Sequence, residues 1–307
     1  SFPTRRSSDL VLQPVGMATI SGTPGWQLND ANVLREQCFR YEYDSRDRMI
    51  MKQVPGAGTT EMVYDKRNRL IMSRDARLDS LGYWNVFKYD NLNRLIKIGL
   101  VANTVSRATH QDSADANINY PTLNAADVMQ ENYYDNYSWI TTPIPQQGIS
   151  STLFTADYIT SFFIFPSNTA PYYARDVAAD YVNVRGKQTG SKVRILGTST
   201  YLHSVVFYDA DGRIIQTRGA NITGGYDVMT TQYDFSGKIL RTVHRHDKQG
   251  ANARFAKVNT IYEYDHAGRV VTVKQKVGGV ERIIAANTYD ELGRLKTKNI
   301  GGLEEQA

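Results

Sequence analysis

Along much of the chain, large side chains recur at every second position, the period of a strand with one buried face. Tyr41, Met62, Phe87, Val206 and Tyr262 each stand two positions before another tyrosine, on the same strand face; Thr231 and Asn287 break the trend in two further places. Ser191 to Leu196 also alternates cleanly and reads as a strand. These runs are cut at intervals by one seven-residue phrase: Tyr, Asp, two free positions, a turn residue, a cation and a large aliphatic residue. Such repetition is tested for first, because a missed repeat misreads the whole fold.

Seven copies fit the phrase. They hold Tyr43, Asp44 and Arg48; Tyr64, Asp65 and Arg69; Tyr89, Asp90 and Arg94; Tyr208, Asp209, Gly212 and Arg213; Tyr233, Asp234, Gly237 and Lys238; Tyr264, Asp265, Gly268 and Arg269; and Tyr289, Asp290, Gly293 and Arg294. Asp followed three residues later by Gly is the preference of a type I turn, and a residue able to enter the left-handed region suits the exit of a short hairpin loop. The early copies replace the glycine with Asp47, Asn68 and Asn93, the side chains that best tolerate positive φ. Each phrase therefore reads as a hairpin tip. Its Asp accepts hydrogen bonds from turn amides, and the cation four residues on lies near it across the loop.

The phrases fall in two blocks. Residues 37–101 hold three, with Tyr-to-Tyr spacings of 21 and 25 residues, and residues 191–298 hold four, spaced 25, 31 and 25. Each spacing accommodates two strands and two turns, with Pro55-Gly56-Ala57-Gly58 and Leu81-Gly82-Tyr83-Trp84 as return connections in the first block. Residues 11–36 read as a loop or partial strand leading into the array. Between the blocks, residues 102–190 lose the period and hold most of the prolines. Within this irregular insert, Tyr134-Asp135-Asn136-Tyr137-Ser138-Trp139 begins like a phrase and lacks the turn residue and cation, a degenerate copy. Leu123 to Asn132 reads as a short helix with Asn124 as N-cap.

Residues 1–10 resemble a translated sequencing adapter and are set aside from fold reasoning. The native start is then expected to be missing, so the lack of a leader says nothing about export. Residues 299–307 read as a truncated end.

Composition changes this picture little. Aromatic content is mostly tyrosine, 20 Tyr against 10 Phe and 3 Trp, which suits strands with one wet face. The formal charge is +5, and setting aside Arg5, Arg6 and Asp9 leaves +4. The cations are spread one per turn, without the clustered patch that nucleic-acid binding leaves, so no nucleic-acid partner is expected. Cys38 is the single cysteine, which excludes an intrachain disulfide framework and a thiolate metal cage. No run reaches the length of a membrane-spanning helix.

Candidate chemistry is sparse. His244-x-His246-Asp247 puts two imidazoles on one strand face, but no third metal ligand is evident and a polar strand face is the favoured reading. The repeated aspartates stand at every turn, where capping outweighs acid–base work. Gly56-Ala57-Gly58 lacks the lysine of a phosphate loop, and Gly197-Thr198-Ser199-Thr200-Tyr201 lacks the second glycine of a nucleophile elbow. Asn136-Tyr137-Ser138 and Asn221-Ile222-Thr223 match the glycosylation sequon, a three-residue pattern that carries no weight by itself. The chain is expected to hold no catalytic, cofactor-binding or metal residues and not to be an enzyme.

The Tyr-Asp-x-x-Gly-Arg-aliphatic phrase is similar to the YD repeat of the Rhs family, shared by bacterial polymorphic toxins, insecticidal toxin-complex C components and teneurins. The resemblance covers Tyr41 to Leu100 and Val193 to Leu295, and the Tyr-Tyr-Asp-Asn-Tyr-Ser-Trp run of the insert resembles Bacteroidetes-type members. It implies an all-β fold in which a long antiparallel sheet of YD-repeat hairpins curls into a spiral shell or partial barrel around a C-terminal toxin. Physical reasoning agrees: roughly fourteen strands at ~4.8 Å give a sheet ~65 Å wide, beyond what an open twisted sheet sustains without curling. The family's core region with its self-cleaving aspartates is absent, and neither end resembles a cap, so the chain is expected to be a fragment of a longer protein. The resemblance further implies a secreted or cell-surface location and, as partner, the remainder of its own chain. The alternative is a cell-surface adhesion or carbohydrate-binding module with surface glycans as partner.

Overall fold

A computed structural model describes residues 8–14, 17, 31–250 and 252–301. The chain divides into two units, Ser1–Glu131 and Asn132–Ala307. Both are built from antiparallel strands, so the all-β expectation holds. In the first unit the elements run β1 (Ser8–Leu12), α1 (Ala31–Gln37), β2 (Cys38–Tyr43), β3 (Met49–Val54), β4 (Gly58–Tyr64), β5 (Leu70–Arg74), α2 (Ala76–Ser80), β6 (Tyr83–Tyr89), β7 (Leu95–Ala102), α3 (Arg107–Ala116) and β8 (Val128–Tyr134), whose end crosses the unit boundary. Each strand pairs antiparallel with its neighbour in sequence.

The second unit holds β9 (Gln188–Arg194), β10 (Tyr201–Tyr208), β11 (Ile214–Ala220), β12 (Tyr226–Tyr233), β13 (Ile239–Lys248), β14 (Arg254–Tyr264), β15 (Val270–Val277), β16 (Val280–Tyr289) and β17 (Leu295–Ile300), again paired in chain order. The phrase sets the register. In all seven copies the pairing slips by one residue immediately before the phrase tyrosine, between Glu42 and Tyr43, for example, or Thr288 and Tyr289. A bulge there re-aims the tyrosine relative to the strand before it.

Four expectations need correction. Residues 11–36 are not only loop or partial strand, because Ala31–Gln37 forms the helix α1. Leu123 to Asn132 is not a helix: Ala125–Asp127 makes one 3₁₀ turn, and β8 begins at Val128 and pairs with β7. Asn124 does sit at the N-cap position, without a side-chain cap bond; strand pairing overrides a helical preference too short to nucleate. The clean strand expected at Ser191 to Leu196 is shifted toward the N-terminus and runs from Gln188 to Arg194, leaving Ile195 and Leu196 outside it. Residues 102–190 are not one irregular insert, because α3 and β8 occupy their first third. Residues 18–30 and 302–307 lie outside the described residues. Ser8 to Leu10, set aside above, lie in β1 and pair with Arg40 to Glu42; an open strand edge offers backbone groups that any sequence can meet.

The first unit's core joins Val63, Ile71, Met72, Trp84 and Val86 of the strands to Ala114 of α3. Arg74 lies over the Trp84 ring at 4.3 Å, and His110 meets that ring edge-on at 4.9 Å. Gln111 of α3 clamps one strand residue, accepting from Tyr64 N at 3.1 Å and donating to Tyr64 O at 2.8 Å. The second core joins Val205, Phe207, Ile215 and Val243 of the strands to Tyr137, Ile149, Phe163, Val177 and Val184, all from residues 136–185. Each Val, Ile, Met or Phe among them, fully buried, contributes roughly 1.5–3 kcal/mol.

Candidate functional site

The seven phrases fold as one repeated device. In the first, Asp44 N donates to Arg48 O and Asp47 N to Asp44 O, both at 3.0 Å, closing the hairpin loop. The same two bonds recur in every phrase, with Asp47, Asn68, Asn93, Gly212, Gly237, Gly268 and Gly293 as the turn residues, all at positive φ. The Asp carboxylate then works twice. One oxygen accepts from the backbone N of the cation four residues on, at 2.8–3.0 Å. The other takes the arginine Nε at 2.6–2.8 Å in six of the seven copies. These bonds hold the carboxyls of Asp265 and Asp290 below the ordinary carboxylate range, the backbone N–H of Arg269 or Arg294 being the largest cause. In Asp44 and Asp90 burial pushes upward and is outweighed by the same N–H and guanidinium donors.

Three of the turns are also hydrogen-bonded to the next through their arginine. Arg48 lies over the Tyr64 ring at 5.0 Å and donates to Asp65 O and Asn68 Oδ1 at 3.1 and 3.2 Å. Arg69 repeats this on Tyr89, Asp90 and Asn93, and Arg213 on Tyr233 and Asp234. Arg269 covers Tyr289 at 4.5 Å. The covered tyrosine then donates its hydroxyl to the carbonyl one residue past that cation: Tyr64 to Met49, Tyr89 to Leu70, Tyr233 to Ile214, Tyr264 to Ile239 and Tyr289 to Val270, at 2.7–2.9 Å. The phrase is thus a ladder rung, joined through its cation to the rung after it.

Tyr208, the first phrase tyrosine of the second unit, reveals a rung that the sequence hid. Its hydroxyl donates to Gln188 O at 2.7 Å, and Lys187 lies over its ring at 5.0 Å. Asp135 N donates to Lys187 O at 3.0 Å, the bond that closes every other turn. Gly186, at φ +82, donates its N–H to Asp135 Oδ1 at 2.6 Å. Tyr134-Asp135 and Gly186-Lys187 are therefore the two halves of an eighth phrase, and residues 136–185 are inserted into its turn. The copy read as degenerate is a split one. Its signal was two incomplete phrases, a Tyr-Asp without turn and cation and a Gly-Lys without Tyr-Asp.

Residues 136–185 form no strand or α-helix and lie against β10 to β14 through side chains of the sheet and through main-chain bonds from Arg175 N to Tyr233 O and Asp180 N to Tyr208 O. Gln216 accepts from Phe154 N at 2.8 Å and donates to Phe154 O at 2.9 Å. Gln232 grips Ile164 in the same way at 3.0 and 2.6 Å, and donates to Arg175 O at 2.9 Å. Arg218 donates to the carbonyls of Gly148, Ser150 and Thr152, and Asn259 to that of Phe162. Burial pulls the Arg218 guanidinium down to about 10. None of these amide and guanidinium contacts was legible, because a polar residue in an alternating strand looks the same whether it meets water or a peptide group.

The lysine rung is the loose one. Lys238 Nζ stands 4.0 Å from Asp234 and 5.9 Å from the Tyr264 ring centre. A cavity of about 700 Å³ opens beside it, lined in part by Tyr172, Phe235, Glu263 and His266. Among the described residues no group of three or more His, Cys, Asp and Glu stands together as a metal cage. His246 Nδ1 meets Asp227 Oδ1 at 2.5 Å across the strands, as a polar strand face would. No helix of the described residues is long and apolar enough to cross a membrane.

No family model matches the chain, and no curated protein matches it. Among solved structures it is similar to TcdB2-TccC3-TEV, with 11% identity and a TM-score of 0.29 over 85% of this chain and 12% of that one. It is similar also to TcdB2-TccC3 without its hypervariable C-terminal region, with 10% identity and the same TM-score and coverage. The chain spans 12% of the length of the structures it matches.

Proposed function

We propose that this chain is a segment of wall in an Rhs-type β-shell that encloses and delivers a C-terminal toxin or effector, working by structure rather than catalysis. The observation that carries the reading is the ladder: each Asp closes its own turn, and Arg48, Arg69, Arg213 and Arg269 reach on to the following phrase, so the repeated polar groups are consumed in extending a sheet. Stability of this kind is additive between neighbours, as in other repeat arrays, and suits a wall of arbitrary length. The partner is the rest of a longer chain, and the setting is secretion or the cell surface. An adhesion or carbohydrate-binding module would use the repeat tyrosines as sugar platforms. Their ring faces under the preceding cation and their bonded hydroxyls favour the wall instead. Cryo-electron microscopy of the full-length protein tests the proposal: a hollow shell is expected, and a solid sandwich without a lumen overturns it.

A further inference from the structure

Residues 136–185 cover a row of like charges. Arg218 on β11 stands opposite Val228 on β12, Val228 opposite Arg245 on β13, and Arg245 opposite Lys257 on β14. Cations directly opposite each other repel, and buried ones need a partner. Among the described residues one carboxylate is paired with this row: Asp157, 2% exposed, with Arg245 Nη1 at 3.6 Å and Lys257 Nζ against its other oxygen. Neither contact has hydrogen-bond geometry, so the attraction is that of charge. Aromatic rings complete the seat. Arg245 lies 4.9 Å from Phe154 and 4.2 Å from Phe255, and Lys257 lies 5.2 Å from Phe255.

The remaining polar contacts described above, from Gln216, Gln232, Asn259 and Arg218, grip main-chain groups and so accept any side-chain sequence. Selectivity falls on the aromatic ring of Phe154 and the carboxylate three residues later. Main-chain bonds tie the segment to the sheet at Tyr173, Arg175 and Asp180, whereas among the described residues the bonds from main chain to main chain of residues 148–164 stay within the segment. That stretch can therefore leave the face with the bridge of Ala174 to Asp234 and the closed turn of Asp135 and Lys187 intact.

We propose that residues 148–164 are a releasable strap keyed by Asp157, and that the face beneath is a binding surface for an acidic peptide carrying an aromatic residue, which the strap occupies in cis. A partner segment of that chemistry displaces the strap and pairs with Arg245 and Lys257 in its place.

Hydrogen exchange of the whole chain tests this. Asp157→Asn leaves two half-buried cations facing each other, and exchange across residues 148–164 is expected to quicken on the order of tenfold while β15 to β17 and the ladder turns keep their protection. Adding Lys257→Gln removes the repulsion and restores protection at least in part, a rescue that general damage to the fold does not give. A fluorescent peptide of residues 152–160 binds the Asp157→Asn chain more tightly than the native one, and the same peptide with Asn in place of its Asp loses that binding. Unchanged exchange in residues 148–164 overturns the strap, as does loss of protection across β9 to β14 together. Equal binding of the two peptides overturns the acidic selectivity.

Discussion

Tyr208 Oη bonds Gln188 O at 2.7 Å, across a turn interrupted by fifty residues, just as Tyr233 Oη bonds Ile214 O at 2.9 Å across an uninterrupted one. If the split turn is a full rung, the two hydroxyls are worth the same. Tyr208→Phe and Tyr233→Phe are each expected to destabilise the chain by about 1 kcal/mol, the usual cost of one lost hydrogen bond. Urea midpoints of the two variants check it. A loss at Tyr233 with none at Tyr208 would show that the inserted turn does not bear on the ladder.

The loose rung makes a prediction of opposite sign. Lys238 offers Asp234 a point charge at 4.0 Å, where the arginine copies place Nε at 2.6–2.8 Å from the carboxylate. A planar guanidinium both pairs and stacks, which an ammonium does less well. Lys238→Arg should stabilise the chain by roughly 0.5–1 kcal/mol, seen as a higher denaturation midpoint, and narrow the cavity beside Tyr264. A neutral or destabilising outcome would mean that the wider spacing belongs to the cavity rather than to the lysine.

What the sequence disclosed follows from range. The turn bonds of Asp44 with Asp47 and Arg48 lie within five residues, and side-chain preference alone specifies them. The stacking of Arg48 on Tyr64 spans sixteen residues and becomes visible only once the register is known. Gln111, Gln216 and Gln232 reach peptide groups 47 to 68 residues away, and amides that bind main chain leave no pattern in the partner's side chains. α3 escaped for a related reason. Its sequence from Arg107 to Ala116 is polar on most positions, and the face that buries His110, Gln111 and Ala114 carries a single apolar residue. The eighth rung was missed because a search by fixed spacing fails when the turn is opened.

The turn glycines can be ranked by what stands in the early copies. Gly293 has φ +79, and a Cβ there would come within 3.2 Å of Arg269 Nη1, the movable end of a long side chain. Asn68 and Asn93 hold the equivalent place at φ +61 and +64. Gly293→Asn should therefore cost less than Gly293→Val by more than about 1 kcal/mol, because a β-branched side chain is penalised most in the left-handed region. Thermal melts of the two variants decide it. Equal losses would place the cost in the Arg269 contact and not in the backbone.

Acid should dissolve the ladder from its carboxylates. Asp44, Asp90, Asp265 and Asp290 titrate lower in the folded chain than in an unfolded one. A carboxyl whose folded value is depressed binds its proton more readily when unfolded, so protonation favours unfolding. Their contribution is complete above about pH 4 and is lost as the pH falls through the folded values below it. Melting temperature should accordingly be flat in this respect above pH 5 and drop steeply below pH 4. Asp290→Asn keeps an acceptor for Arg294 N but loses the charge that Arg294 Nε meets at 2.8 Å. That variant should start lower at pH 7 and lose less between pH 5 and pH 3 than the native chain. Parallel curves for variant and native protein would show that the acid transition belongs to other groups.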